Sequence, residues 1–298
     1  PALIIGAFAE RIKFSAYLVF AVLWSTIVYD PLAHWMWGEG GFLREYGALD
    51  FAGGTVVHIS AGMAALAAAL IVGKRRGYPE TGTPHNLAFV VLGATLLWFG
   101  WFGFNGGSAL SSGALSTLAF VTTQLGAMAG ALAWVVPDWI VAKRPTTLGL
   151  LSGLIAGLAA VTPAAGFVGP MGALGIGAVA GALCYVSVMV VKAKYKYDDS
   201  LDAFGIHGVA GMWGVLAVGL WATVTVNPGG ADGLFHLGAH QLLVQFVAML
   251  VTTVFSFAVS FLLLKLVDRL MGLRVCPDHE LIGLDLTQHK ESAYTFLG

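Results

Sequence analysis

The chain of 298 residues is 58% hydrophobic and 10% charged, whereas a soluble domain is about a quarter charged, so the composition is that of a membrane protein. A formal net charge of −1 argues against nucleic acid or polybasic-lipid partners, which need a concentrated cationic face. Cys184, in a predicted span, and Cys276, in the tail, support neither a disulfide framework nor a Cys-based metal site.

The chain opens at Pro1 inside an apolar run, PALIIGAFAE, with no Met and no signal peptide. Upstream residues, further spans among them, are therefore expected. A bilayer core needs about 20 apolar residues per helix, and eight complete runs meet that need, at 15–32, 54–73, 86–105, 114–136, 147–166, 171–191, 203–225 and 239–264. The basic residues test this parsing. Arg11 and Lys13, then Lys74, Arg75 and Arg76, then Lys143 and Arg144, then Lys192, Lys194 and Lys196 fall in every second connection. Lys265, Arg269, Arg274 and Lys290 follow the last span, and Arg44 alone falls on the other face. The positive-inside bias assigns the basic face, and with it the C-terminus, to the cytoplasm. Residues 1–271 form a transmembrane domain in this reading and 272–298 a cytoplasmic tail. Small-residue spacings such as Gly153-x3-Gly157 and Gly177-x3-Gly181 suit close helix packing in lipid.

A short pattern recurs. His58-Ile-Ser-Ala-Gly-Met63 matches His207-Gly-Val-Ala-Gly-Met212 at four of six positions, and each His follows an Asp by eight residues, Asp50 and Asp199. Four spans separate the copies, so the second helix runs opposite to the first, the signature of an inverted repeat with its shared site near the bilayer midplane. An ionisable residue within a span is costly and suggests function. A lone His there reads more readily as a hydrogen-bonded structural residue, and a repeat-related pair reverses that weighting. His34, His85, His236 and His240 lie near span ends and read as interfacial.

The stretches AERIKFSAYLVF, HWMWG, GALDFAGGTVVHISAG, PHNLAFV, WFGWFGFNGGSA, SGLIAGLAAVTPAAG, DAFGIHGVAGMWG, HQLLVQF and GLRV resemble, in order, the Amt branch of the Amt/MEP/Rh ammonium transporter family. The resemblance covers essentially the whole chain. It implies an all-α polytopic fold with inverted five-helix repeats and eleven spans, assembled as a homotrimer with a pore through each subunit. It also implies that this chain begins near the end of the third span, and that one of the family's two stacked pore phenylalanines precedes residue 1. The other corresponds to Phe104.

By the same resemblance, Trp37 and Ser108 line an outer recruitment site for ammonium, where an indole face offers cation–π attraction of about 0.5–2 kcal/mol and a hydroxyl accepts an N–H bond. Read from the residues alone, Trp37 also suits an aromatic belt and Ser108 a helix cap. Asp50 reads as an N-cap of the His58 helix or as a support for recruitment; Asp199 reads as a cap of the His207 helix. His58 and His207 are implied as the main polar groups of an otherwise apolar pore. An intact cation crossing such a passage costs roughly 10 kcal/mol or more. Ammonium can shed a proton and potassium cannot, so conduction as ammonia separates two ions of similar size and equal charge. Whether the proton follows through the pair, takes a separate water path or returns outside stays open.

In the tail, GLDLTQHKESAY resembles the family's C-terminal end, although related tails usually read HGE where this one has His289-Lys290-Glu291. The resemblance implies a PII-type signalling partner at the cytoplasmic face and a regulatory phosphorylation at Thr287, against which an ordinary surface hydroxyl is the plainer reading. No enzyme activity, cofactor or metal is expected. The rival readings are an ammonium sensor, a Rh-like gas channel, and a redox protein with His58 and His207 as haem ligands, the last needing a far wider cavity.

Overall fold

A computed structural model describes residues 1–79, 84–292 and 294. Seven helical stretches among them are long and apolar enough to cross a membrane. The first stretch, Phe14–Glu45, joins α1 (Phe14–Trp24), a π-helical turn (Ser25–Tyr29), α2 (Asp30–Trp37) and α3 (Phe42–Glu45). Then come α4 (Ser60–Val72), α5 (Leu87–Gly107), α6 (Ala114–Ala142), α7 (Thr147–Val161), α8 (Pro170–Val186), which runs on through a π-turn into α9 (Lys192–Tyr195), α10 (Val209–Trp221) and α11 (Ala239–Met271). A short α12 (Pro277–Ile282) lies in the tail.

The structure refines three expectations. The apolar opening, expected as the end of a span, closes in a single 3-10 turn, Ile4–Ala7. The fully buried Arg11 guanidinium explains why, because it takes the carbonyls of Ala7 and Ala9 that a continuing helix would use, together with those of Gly73 and Asp198. The run at 147–166 gives a helix of only 15 residues, too short for a bilayer core. Pro163 ends it, and Thr162, Ala164 and Ala165 continue the chain as a buried turn towards the buried Val168. Helices α6 and α11 overrun their predicted ends. Helix α6 passes Pro137 because Trp134 and Asp138 stay buried, with the Thr146 hydroxyl donating to Asp138 at 2.7 Å. Helix α11 has 33 residues, about 50 Å at 1.5 Å per residue, and so projects beyond a 30 Å core.

The predicted basic face is one end of the bundle. Arg75 pairs with Asp198 at 2.8 Å and Lys192 with Asp202 at 2.6 Å. Arg274 pairs with Glu280 at 2.7 Å, and the Arg76 backbone donates to the same carboxylate. The Arg75–Asp198 pair places the C-terminal end of α4 beside the chain entering the His207 helix. Towards the other end, the buried Gln245 amide donates to Leu49, just before the His58 helix, and to Val215, midway along α10 and beyond His207. The two helices that carry the echoed pattern are therefore antiparallel, as an inverted repeat requires.

Candidate functional site

Each copy of the echo builds the same local device. The Asp50 carboxylate accepts the backbone N–H groups of Gly53, Gly54 and Thr55, each at 2.7 Å, and the Thr55 hydroxyl. Asp199 accepts those of Ala203 at 3.0 Å and Phe204 at 2.8 Å. Each aspartate thereby satisfies donors that a helix start leaves without intrahelical partners. Burial raises both carboxyls from their ordinary value of 3.8, with the backbone hydrogen bonds opposing the rise; for Asp199, which Asp202 also pushes up, the result is about 6. Both caps open into π-helical turns, Gly54–Ile59 and Phe204–Gly208, which carry His58 and His207.

The glycine four residues after each His explains why the pattern repeats. A methyl on Gly62 would fall on the backbone of Gly208, and one on Gly211 would meet the Cβ of His58 at 2.9 Å. Two bare backbones let α4 pack against the turn at 204–208 and α10 against the turn at 54–59. The imidazoles consequently meet in the interior, 1% and 9% exposed. Their Nδ1 atoms are 3.3 Å apart, and their rings are near-parallel at 11° with centroids 5.3 Å apart. One Nδ1 donates to the other, so the contact suits a neutral pair.

Two residues that the sequence reading passed over complete the arrangement. The Trp101 indole stacks on His58 at 5.2 Å and 17°, and lies 6.5 Å from His207 at 7°. Its Nε1 donates to the Thr162 hydroxyl at 2.8 Å, which itself donates to Leu158. The available signal was the spacing, since Trp101 precedes Phe104 by three residues and so shares its helix face. Phe104 stands edge-on to His58, at 6.3 Å and 83°.

A cavity of about 460 Å³ opens beside His58, walled by Val57, Leu96, Leu97, Trp101 and Phe104. A second, of about 390 Å³, adjoins His207 and reaches Asp202 and Ala203 towards the basic end. The two share Leu3, Gly93 and Leu97. His58 Nε2 is buried and, among the described residues, has no hydrogen-bond partner.

The remaining predicted residues fall at the periphery. Trp37 is 38% exposed, and its indole N–H donates to the Asp50 carbonyl at 2.9 Å, so Trp37 and Asp50 form one unit. Ser108 caps the C-terminus of α5, its hydroxyl donating to the Phe104 carbonyl at 2.9 Å. Thr287 donates to the Gly283 carbonyl in the tail, near the contact of His289 with Phe14. The tail residues 293 and 295–298 lie outside the described residues. Among the described residues, no group of three His, Cys, Asp or Glu side chains is gathered as a metal site.

Inverted helices meeting at a buried imidazole pair, flanked by apolar cavities, define a polytopic membrane transporter. The chain belongs to the ammonium transporter family: that family's model matches residues 1–294. It is 52% identical over 293 residues to the ammonium transporter of Bacillus subtilis (strain 168), covering 98% of this chain and 72% of that one. The crystal structure of Saccharomyces cerevisiae Mep2 superimposes with a TM-score of 0.87 at 38% identity, over 93% of this chain and 64% of that one. A solved "Sensor Amt Protein" superimposes with a TM-score of 0.86 at 32% identity, over 96% of this chain and 73% of that one. The chain thus spans about two thirds to three quarters of the length of these relatives.

Proposed function

We propose that this chain forms the conducting part of an ammonium transporter of the cell membrane. Ammonium is recruited at the Trp37 end, loses its proton, and passes Phe104 to cross the apolar interior as ammonia along His58 and His207. The observation that carries this reading is the buried imidazole pair between two apolar cavities. An unpartnered His58 Nε2 offers a passing ammonia the one kind of contact that aliphatic walls lack. A neutral pair suits a neutral solute, because each ring has one donor and one acceptor. A cation meets the midplane penalty of roughly 10 kcal/mol, and potassium has no proton to lose.

In recruitment, the hydrogen bond from Trp37 to the Asp50 carbonyl fixes the indole by its edge and leaves its face for cation–π attraction. Asp50 acts through this carbonyl and through the turn it caps. Ser108, at the end of α5, supplies the hydroxyl. The basic end is the cytoplasmic side and carries the tail, 272–298. The assembled protein is a homotrimer with one pore per subunit. A PII-type protein acts on it from the cytoplasm.

The deciding experiment is flux of ammonium and methylammonium into proteoliposomes containing the full-length protein, with current recorded alongside. Flux with current means that the proton crosses as well; flux without current means that it returns outside. Absence of flux refutes the reading. A second reading, an ammonium sensor, draws on the likeness to the "Sensor Amt Protein". It predicts ammonium binding without bulk flux in the same preparation.

A further inference from the structure

Helix α11 carries a line of polar side chains through the interior of the bundle. Gln241, Gln245, Thr252, Ser256 and Ser260 are all buried, and their spacings of four, seven, four and four residues keep them within about 100° of one another around the helix. From Gln241 to Ser260 the line runs about 28 Å at 1.5 Å per residue, close to the depth of a bilayer core. Protein groups satisfy its two ends. Gln241 and Gln245 donate to the carbonyls of Gly47, Leu49 and Val215, and Ser260 accepts the Trp24 indole N–H at 3.0 Å. In the middle, the hydroxyl oxygens of Thr252 and Ser256 are sealed from solvent and have no hydrogen-bond partner among the described residues. Other helical hydroxyls of this chain donate to the carbonyl four residues back, as Ser25, Ser60, Thr95, Thr122 and Thr162 do; these two do not. Across from them stands α4. Val56, just before α4, clusters with Val244 and Ala248, and Ala64, Ala65 and Ala68 cluster with Leu263 and Leu264. The two helices therefore run side by side in the same direction, and Thr252 and Ser256 lie between these contacts, opposite side chains short enough to leave room for a small ligand.

We propose that Thr252 and Ser256 together bind one buried water molecule between α11 and α4, behind the turn that carries His58. Sealing a hydroxyl without a partner is costly, and buried waters are held where otherwise unsatisfied polar groups converge. The spacing fits this occupant. Residues four apart on a helix have Cβ atoms about 5–6 Å apart, and a water bonded to two hydroxyls at about 2.8 Å each spans up to about 5.6 Å. A bare cation is a poor fit, because hydroxyls and alanine methyls offer it no countercharge at a depth where charge is expensive. Ammonia shares the chemistry of water as a small neutral donor and acceptor, and the test separates the two. Both oxygens are enclosed by this chain's own helices, so neither a lipid nor a neighbouring copy reaches them. The inference rests on helix packing within the chain and not on the species transported.

The test is a double-mutant cycle on the full-length protein in detergent, read as Tm, with a density map of ammonium-free protein at a resolution that shows ordered water. Thr252→Val keeps the shape of the side chain and removes its hydroxyl. If that hydroxyl is dry, its loss relieves a buried unpaired group and Tm rises. If it binds water, its loss leaves the water and Ser256 a partner short, and Tm is expected to fall by several degrees. Ser256→Ala is expected to lower Tm as well, and the double variant to fall by less than the two singles added together, because the first substitution already releases the water. The wild-type map is expected to show one peak within about 3.2 Å of both hydroxyls, and the double variant none. An unchanged or raised Tm in Thr252→Val, strictly additive falls, or a map with the two hydroxyls turned to the carbonyls of Ala248 and Thr252 would overturn the proposal. So would a peak that appears only after soaking in ammonium, which would make the transported species the occupant. None of these readouts is a flux, so this site and the transport reading succeed or fail separately.

Discussion

Gly211→Ala tests whether the close approach of the two repeats sets the imidazole geometry. The added methyl would sit 2.9 Å from His58 Cβ, 3.0 Å from the Ile59 nitrogen and 3.1 Å from the Gly54 oxygen. Carbon atoms pack best at about 3.5–4.0 Å, so α10 and the His58 turn must separate by about 0.6–1.1 Å. Two of the three obstructing atoms are backbone, so rotating a side chain cannot relieve the overlap. Added to an Nδ1–Nδ1 distance of 3.3 Å, that shift takes the imidazoles to about 3.9–4.4 Å, past the roughly 3.6 Å at which a side-chain contact is no longer a hydrogen bond. Overpacking of this kind costs about 1–3 kcal/mol, and for a chain this long each kcal/mol lowers Tm by about 2–4 °C. The variant is expected to fold, melt several degrees early, and lose methylammonium flux at least tenfold in proteoliposomes. Gly169→Ala, whose methyl meets nothing within 4 Å, is the matched control and should conduct like wild type. Wild-type flux through Gly211→Ala would refute the claim that repeat packing positions the pair.

His58→Ala and His207→Ala are each expected to abolish transport or weaken discrimination against potassium; ammonium flux like wild type with potassium still blocked in both would remove the pair from the mechanism. Thr162→Val leaves the buried Trp101 N–H without its acceptor, a loss of about 1–3 kcal/mol, and should lower both Tm and flux while recruitment affinity holds. Trp37→Leu is expected to raise the half-saturating ammonium concentration about 2- to 30-fold, the equivalent of a 0.5–2 kcal/mol cation–π contact; an unchanged concentration dependence would count against that contact. Asp199, raised from 3.8 to about 6, binds its proton more tightly folded than unfolded. Its contribution to stability is therefore full below pH 3.8, falls by about 3 kcal/mol as pH rises to 6, and is level above that. Asp199→Asn should remove this slope from a plot of Tm against pH, and an unchanged slope would assign it to another group.

Hydropathy, the alternation of basic residues and the echo of HISAGM in HGVAGM were legible in the sequence because each follows from the bilayer. Burying a backbone in hydrocarbon demands long helices, the membrane sorts lysine and arginine to one side, and an inverted repeat leaves its pattern twice. Asp50 and Asp199 were legible as caps, since a cap acts within a few residues of its own position. The ends of α6 and α11 were not, because a helix ends where packing and water allow and not where the apolar run stops. Nor was the opening segment, whose carbonyls are claimed by an arginine that also reaches Gly73 and Asp198.

By itself the sequence determined that this chain is a bundle of membrane helices, which way its halves run, and that two histidines occupy equivalent places in them. Tertiary structure alone decided that those imidazoles touch, that Trp101 is stacked on them through Thr162, and that two hydroxyls of α11 are sealed in the bundle beside α4. The physical reason is range. Transfer of a side chain to lipid and the capping of a helix are local free energies that leave local marks, whereas ring stacking, backbone contact at glycine and the sealing of a hydroxyl depend on distances that arise only when separate segments are packed together.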